Sequence, residues 1–150
     1  MANVNYFIYE WLIAIFTIVI SVWIHSQVML WLKRSRTFGQ QIGQNRIFKV
    51  MLCLIFAHIV EICLFAFAYK LMLSDPKFGS LAGIDVNSIT DYLYYSSTVF
   101  TTLGFGDIVP KGLIRLFTSI ESLTGISLVA WSMSVAFLEI QHVEENKKCD

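Results

Sequence analysis

The chain has 150 residues, of which 56% are hydrophobic and only 15% are charged. A soluble domain of this length is much more polar, so the composition predicts a protein of the membrane. The formal net charge is zero and the sequence has no patch of basic and aromatic residues, so nucleic acid is not expected as a partner.

Three apolar segments are each long enough to cross a bilayer as a helix. They cover approximately residues 6–32, 47–73 and 113–140. With a rise of ~1.5 Å per residue, each segment is longer than the ~30 Å hydrocarbon core, which leaves room for tilt. The first segment has no basic residue ahead of it and is too long for a signal peptide. We therefore expect it to stay in the mature protein as a transmembrane helix.

The connection between the first two spans is basic, whereas no Lys or Arg precedes the first span. Its positive residues are Lys33, Arg34, Arg36, Arg46 and Lys49. Because positively charged loops stay on the cytoplasmic side, we predict a cell-membrane protein with its N-terminus outside and its C-terminus in the cytoplasm. We interpret the connection as a solvated loop, with an interfacial segment bound to anionic membrane lipid as the alternative.

Ionisable side chains occur inside the first two spans. His58 and Glu61 lie three residues apart and therefore share one face of a helix, and His25 lies in the first span. Clusters of His and Glu bind zinc or relay protons, but two side chains on one helix supply too few ligands for a metal. We interpret His58 and Glu61 as an intramembrane pair in which each satisfies the other, and we predict no metal ion here.

Residues 74–112, between the second and third spans, contain a short helix of their own. Ser88 followed three residues later by Asp91 is typical of a capping box, and Asn87 is the alternative cap. Residues 89–101 then run without Gly or Pro, which predicts a helix of about three turns. A glycine-rich segment follows at once. Irregular backbone at membrane depth is tolerated only where protein buries it or where it lines water, so this region predicts a re-entrant pore loop.

The segment after this helix, residues 101–110, combines two threonines, an aromatic residue between two glycines, and an acid. We call it the filter segment. Gly104 and Gly106 can adopt positive φ, so that consecutive carbonyls turn to one side and replace the hydration shell of a cation. Residues 102–107 resemble the potassium-channel signature Thr-x-Gly-Tyr/Phe-Gly-Asp at every defined position. An ordinary glycine turn after a helix is the other interpretation.

The resemblance implies a potassium-selective ion channel with passive conduction and no enzymatic activity. Potassium ions in the filter would be the only cofactor, without an organic group or another metal. The filter would be formed by Thr102, Leu103, Gly104, Phe105 and Gly106. Its supporting residues would be Tyr94, Tyr95, Thr98, Thr101, Asp107 and Glu121. Since one loop cannot surround an ion, the family's fourfold arrangement implies a homotetramer.

Two positions depart from patterns found in the resembling family. Thr98 stands where some members carry a glutamate that bonds the filter aspartate, so Asp107 needs another partner. Phe105 replaces the commoner tyrosine and lacks a hydroxyl that could tether the filter to the preceding helix. We therefore expect a filter that rearranges more readily, seen as a slow decline of current in low external potassium.

The third span is expected to line the pore below the filter. Glu121 is an ionisable group inside this span. It could tune the filter, or it could form a purely structural bond to Ser or Thr hydroxyls. Gly125 occupies a frequent hinge position of the family, and close packing is an equal alternative. The resemblance places one face of the span at the pore or a gate, although plain helix packing gives the same periodicity. The residues of this face are Gly125, Ile126, Val129, Met133 and Phe137.

The expected fold class is an all-α integral membrane protein with three transmembrane helices, a re-entrant pore helix and a selectivity filter. We divide the chain into an N-terminal helix with its basic loop (residues 1–46), a pore domain (47–140) and a short cytoplasmic tail (141–150). No span carries arginine at every third position, and the tail is too short for a ligand-binding domain. Gating is therefore expected from the pore, the lipid, pH or an unidentified regulatory subunit. A less selective cation channel and a non-conducting accessory subunit are the alternative functions.

Overall fold

Each of the three apolar segments folds into one long helix. The computed structural model describes residues 2–38, 44–83, 86 and 88–147. Its helices are α1 (Ala2–Phe38), α2 (Gln44–Met72), α3 (Ile89–Phe100) and α4 (Ile114–Lys147). The helices α1, α2 and α4 are long and apolar enough to cross a membrane, whereas α3 is short. The predicted all-α membrane fold is therefore confirmed.

The start of α3 has the capping pair that the sequence predicts. Ser88 lies in extended backbone before the helix, and its hydroxyl accepts a hydrogen bond from the backbone N–H of Thr90 at 3.4 Å. In return, the backbone N–H of Ser88 donates to Asp91 Oδ2 at 2.9 Å. These bonds satisfy N–H groups that have no partner inside the helix. The predicted cap and helix are confirmed, and Asn87 lies outside the described residues.

A short ribbon that the sequence did not predict joins the two ends of the pore-loop region. It consists of two antiparallel strands, β1 (Ser80–Ala82) and β2 (Val109–Lys111). Gly79 precedes β1 with φ 118°, and a Cβ there would lie 1.9 Å from the carbonyl oxygen of Lys111. Only glycine allows this close approach in this conformation. The ribbon therefore ties the chain ahead of α3 to the chain that leaves the filter segment.

Aromatic side chains form the core where α2, α3 and α4 meet. The ring of Tyr69 packs edge-on against Phe117 with centroids 5.0 Å apart, and Phe65 lies 5.8 Å from the same ring. Phe100, the last residue of α3, is fully buried at 6.3 Å from Phe65. Edge-on aromatic pairs contribute ~0.5–1.5 kcal/mol each beyond their burial. The end of α3, where the filter segment starts, is thus held by helices on both sides.

The first helix is joined to the start of α4 by a buried carboxylate. Glu10 Oε1 accepts a hydrogen bond from the backbone N–H of Phe117 at 3.2 Å. Phe117 lies in the first turn of α4, where free N–H groups and the positive end of the helix dipole favour an anion. Glu10 itself is 1% exposed. Helix α1 is therefore anchored to the helix that follows the filter segment.

Candidate functional site

The filter segment is bonded to the end of α3 through its backbone. The N–H of Thr102 donates to the Val99 carbonyl at 2.9 Å, and the N–H of Gly104 donates to the Thr98 carbonyl at 3.2 Å. These carbonyls belong to the last turn of α3, which has no partners for them within the helix. The hydroxyl of Thr98 donates to the Tyr95 carbonyl at 2.8 Å. Thr98 therefore supports the filter segment through its carbonyl, while its side chain bonds its own helix.

The backbone of the filter segment alternates in handedness. Positive φ values occur at Thr102 (62°), Gly104 (49°) and Gly106 (83°), whereas Leu103 and Phe105 between them have negative φ. Alternation of this kind turns successive peptide groups to the same side. Positive φ costs a residue other than glycine roughly 1–2 kcal/mol, so Thr102 is strained. Strain of this kind persists only where the surroundings hold it, and it is frequent at functional sites.

One side of the filter segment is uncovered in the single chain. Every residue from 101 to 107 is exposed, and the next residue, Ile108, is buried. Leu103 and Phe105 are 62% and 68% exposed. Thr101, the first residue of the segment, uses its hydroxyl to donate to the Ser97 carbonyl at 2.6 Å. Backbone this irregular is not stable against lipid, so its open side must face water or other protein.

The acidic end of the filter segment has the partner that the sequence left unidentified. The hydroxyl of Tyr94 donates to Asp107 Oδ2 at 2.6 Å, and the backbone N–H of Ile108 donates to Oδ1 at 3.0 Å. The hydrogen bond to Asp107 also raises the pKa of the Tyr94 phenol, which keeps it protonated as a donor. On the other side, a Cβ on Gly83 would lie 1.8 Å from the Asp107 carbonyl oxygen. Asp107 is thus fixed from α3 and from the chain after β1.

A buried hydroxyl network joins α2, α3 and α4. Glu121 Oε2 accepts a hydrogen bond from Tyr69 at 2.5 Å, and its Oε1 accepts one from Ser96 at 2.5 Å. The hydroxyl of Tyr95 lies 3.0 Å from Thr118 Oγ1. Glu121 therefore joins α2, α3 and α4. Ser96 matches the expected kind of partner, whereas Tyr69 has no sequence signal that points to Glu121.

The α4 residues predicted to share one face do not have the same surroundings. Gly125 is buried, and a Cβ there would lie 2.1 Å from the carbonyl oxygen of Phe100. Val129 is half-buried and packs against the core between the helices. The exposed members of the set are Ile126, Met133 and Phe137. Gly125 thus lies where α4 touches the end of α3, apart from the exposed residues.

The comparisons with known proteins bear on the region that contains these residues. A family model described as an ion channel matches residues 49–141, which is more than half of the chain. The matched region runs from α2 to α4 and includes α3 and the filter segment, whereas α1 lies outside it. Neither a curated protein nor a solved structure gives a significant match.

Proposed function

This chain belongs to the ion channel family, and on this premise we propose that it is a potassium-selective channel with passive conduction. The observation that carries the proposal is the alternating φ of residues 102–106, within a motif similar to the potassium-channel signature. Carbonyls turned to one side can replace the water around a cation that leaves bulk solvent. The filter would be residues 102–106, and potassium ions would be its only cofactor.

The proposed assembly is a homotetramer with four filter segments around one axis. The exposed side of residues 101–107 supports this arrangement, because irregular backbone is not stable against lipid. Four copies would surround each ion with carbonyls, whereas one copy would leave most of its coordination to water. The exposed apolar side chains of Ile126, Met133 and Phe137 would then face the pore or a neighbouring copy.

In the proposed orientation, the N-terminus lies outside the cell and the C-terminal end of α4 lies in the cytoplasm. The basic residues between α1 and α2 support this choice. Because α1 and α2 each cross once, α3 and the filter segment enter from the outer side, with Asp107 at the outer end. Below the filter, a ring of Met133 or Phe137 would form a hydrophobic constriction that closes by dewetting.

Ion flux from liposomes containing the purified protein tests this function. We expect potassium flux from the parent protein, much less sodium flux, and loss of both in the Gly104→Ala, Gly106→Ala double variant. The loss is expected because alanine is strained at positive φ. Gly39→Ala, outside the matched region, is the matched control and should conduct like the parent.

The other outcomes separate the alternative functions. Flux that survives the double glycine substitution would show that the filter segment does not form the conduction path. Equal potassium and sodium flux would identify a less selective cation channel. A folded parent protein without any flux would identify a non-conducting accessory subunit.

A further inference from the structure

Two histidines, a glutamate and a serine from three helices meet in one cluster. His25 Nδ1 on α1 lies 2.8 Å from Glu61 Oε1, and His58 Nδ1 lies 2.9 Å from Glu61 Oε2, both on α2. On the other side of the rings, Ser132 Oγ of α4 lies 3.3 Å from His25 Nε2 and 3.0 Å from His58 Nε2. The four side chains therefore form a closed ring, which we call the His–Glu ring.

The surroundings of the His–Glu ring are apolar and aromatic. His25 and Glu61 have no exposed side-chain surface, while 18% of the His58 side chain is exposed. Trp131 lies 5.2 Å from the His25 ring, and Phe100 lies 5.8 Å from the His58 ring. Polar groups in such surroundings are costly unless each finds a partner.

With both imidazoles neutral and Glu61 ionised, the hydrogen atoms of the His–Glu ring do not suffice for its contacts. Four contacts need four hydrogens, whereas two neutral imidazoles and one hydroxyl supply three, and an ionised Glu61 supplies none. With both Nδ1 atoms donating to Glu61, both Nε2 atoms face Ser132 as acceptors, and the hydroxyl can serve only one. An ionised Glu61 would also leave a net negative charge in an apolar site. A bound cation would remove both deficits.

We propose that the His–Glu ring binds a divalent transition-metal ion of the zinc type, with His25 Nδ1, His58 Nδ1 and the Glu61 carboxylate as ligands. Two imidazoles and one carboxylate are a ligand set that zinc accepts, with water in the fourth position. The candidate ligand atoms all lie within 4.8 Å of one another. Ligands of tetrahedral zinc lie about 3.3 Å apart. The two Nδ1–carboxylate distances of 2.8 Å and 2.9 Å would therefore lengthen by a few tenths of an ångström, and ligand atoms that lie farther apart would move closer together.

Ser132 fits this proposal as the residue that orients both histidines. When Nδ1 binds a metal, the remaining hydrogen of a neutral imidazole is on Nε2, so both Nε2 atoms become donors. Ser132 Oγ, placed 3.3 Å and 3.0 Å from these nitrogens, has two lone pairs to accept them. With both imidazoles neutral and Glu61 ionised, the same serine cannot satisfy both nitrogens in the metal-free ring. A metal thus accounts for the position of this hydroxyl.

The end of α3 offsets part of the remaining charge. A divalent ion and one carboxylate leave a net charge of +1. Phe100 next to His58 is the last residue of α3, where the helix dipole places partial negative charge. The exposed part of His58 leaves a side from which the ion can enter. The bound ion would tie α1 to α2 beside the start of the filter segment.

The expectation of no metal arose because only two candidate ligands lie on one helix. The fold adds the third, since packing of α1 on α2 brings His25 to the same carboxylate. Sequence spacing within α2 cannot show this contact. None of the proposed ligands belongs to the filter segment, so the metal site does not rest on the proposed function.

Zinc binding by the purified full-length protein tests the proposal. After treatment with a chelator and its removal, equilibrium dialysis against zinc alone should give one ion per chain. His25→Gln, His58→Gln and Glu61→Gln should each abolish this binding. The control variant is His142→Gln, which removes the third histidine of the chain. Because His142 lies outside the His–Glu ring, this variant should bind zinc like the parent. Helicity and elution volume show whether each variant is folded.

Ser132→Ala keeps all three ligands and therefore remains informative if a ligand variant misfolds. It should weaken zinc affinity by about 10–100-fold, as loss of an orienting partner does in other zinc sites. Cobalt in the parent protein should give the visible absorption of a tetrahedral site, and Ser132→Ala should shift it. The proposal would be overturned if the folded parent retained no zinc, or if the parent and all ligand variants retained it equally. Either result would favour a ring held together by a proton.

Discussion

At the scale of single residues, one hydroxyl holds the acidic end of the filter segment to α3. Tyr94 donates to Asp107 at 2.6 Å, while the hydroxyl of Thr98 is used within its helix. We predict that Tyr94→Phe makes potassium current decline faster when external potassium is lowered, because Asp107 loses its bond to α3. Recordings at stepwise lower potassium check this, with Tyr92→Phe of the same helix as the control. Equal decline in both variants would contradict a role for this bond.

In the buried hydroxyl network, Tyr69 and Glu121 are predicted to act as one unit. Tyr69→Phe and Glu121→Gln should each lower the thermal midpoint. Tyr69→Phe removes a donor, and Glu121→Gln replaces one of the two acceptor oxygens with an NH2 group. The double variant should lose less than the sum, with a coupling of about 0.5–3 kcal/mol. Thermal unfolding of the four proteins measures this coupling, and Tyr9→Phe, at an exposed position of α1, is the control. Strictly additive losses would show that the two groups act separately.

The sequence could predict that Glu121 bonds hydroxyl groups, but it could not predict which residues supply them. Glu121 stands out because an ionisable group inside a span needs a partner, and nearby hydroxyls are the expected kind. Ser96 is such a hydroxyl. Tyr69 lies near the end of a span, where tyrosine is frequent because its amphipathic ring suits the membrane–water interface. Only the packing of α2 against α4 brings its hydroxyl to Glu121.

At the scale of elements, Gly125 decides how closely α4 approaches α3. A hinge role alone predicts that Gly125→Ala stabilises the helix by ~1 kcal/mol. Contact with Phe100 predicts the opposite, because the new Cβ would lie 2.1 Å from a carbonyl oxygen and α4 would have to move. We predict a lower thermal midpoint and reduced potassium flux, with the exposed Ser127→Ala as the control. A higher midpoint would favour the hinge.

An ion pair joins the start of α2 to the later part of α4. Arg46 Nε donates to Glu139 Oε2 at 2.8 Å, and the two side chains are 12% and 6% exposed. Removing one partner leaves a poorly hydrated charge, which costs about 3–5 kcal/mol for a fully buried pair and less for this one. We predict that Arg46→Glu and Glu139→Arg each lower the thermal midpoint, and that the double reversal regains part of the loss. No regain would argue against direct pairing.

The helices could be predicted because their signals are local. Long apolar runs place α1, α2 and α4, and the cap at Ser88 places α3. The β1–β2 ribbon could not be predicted, since its strands have three residues each and pair across the whole pore loop. The contact of Glu10 with the start of α4 likewise joins distant parts of the chain. Helix α4 continues to Lys147, beyond the apolar span, because Glu, Gln and Lys are good helix formers.

At the scale of the whole molecule, the single chain is incomplete where it would conduct. The filter segment has an exposed side that lipid cannot cover, and this supports assembly into a homotetramer. Periodicity could not separate the surfaces of α4 that are exposed from those that face the chain's own core. Val129 illustrates this, because it shares the predicted face with Met133 yet is half-buried against other helices.

The reversal potential of the reconstituted protein tests potassium selectivity most directly. High potassium is placed on one side of a bilayer and high sodium on the other, and current is recorded against voltage. A filter of potassium-coordinating carbonyls at residues 102–106 predicts a reversal potential close to the potassium equilibrium potential. A robust current that reverses near zero would contradict the proposed selectivity.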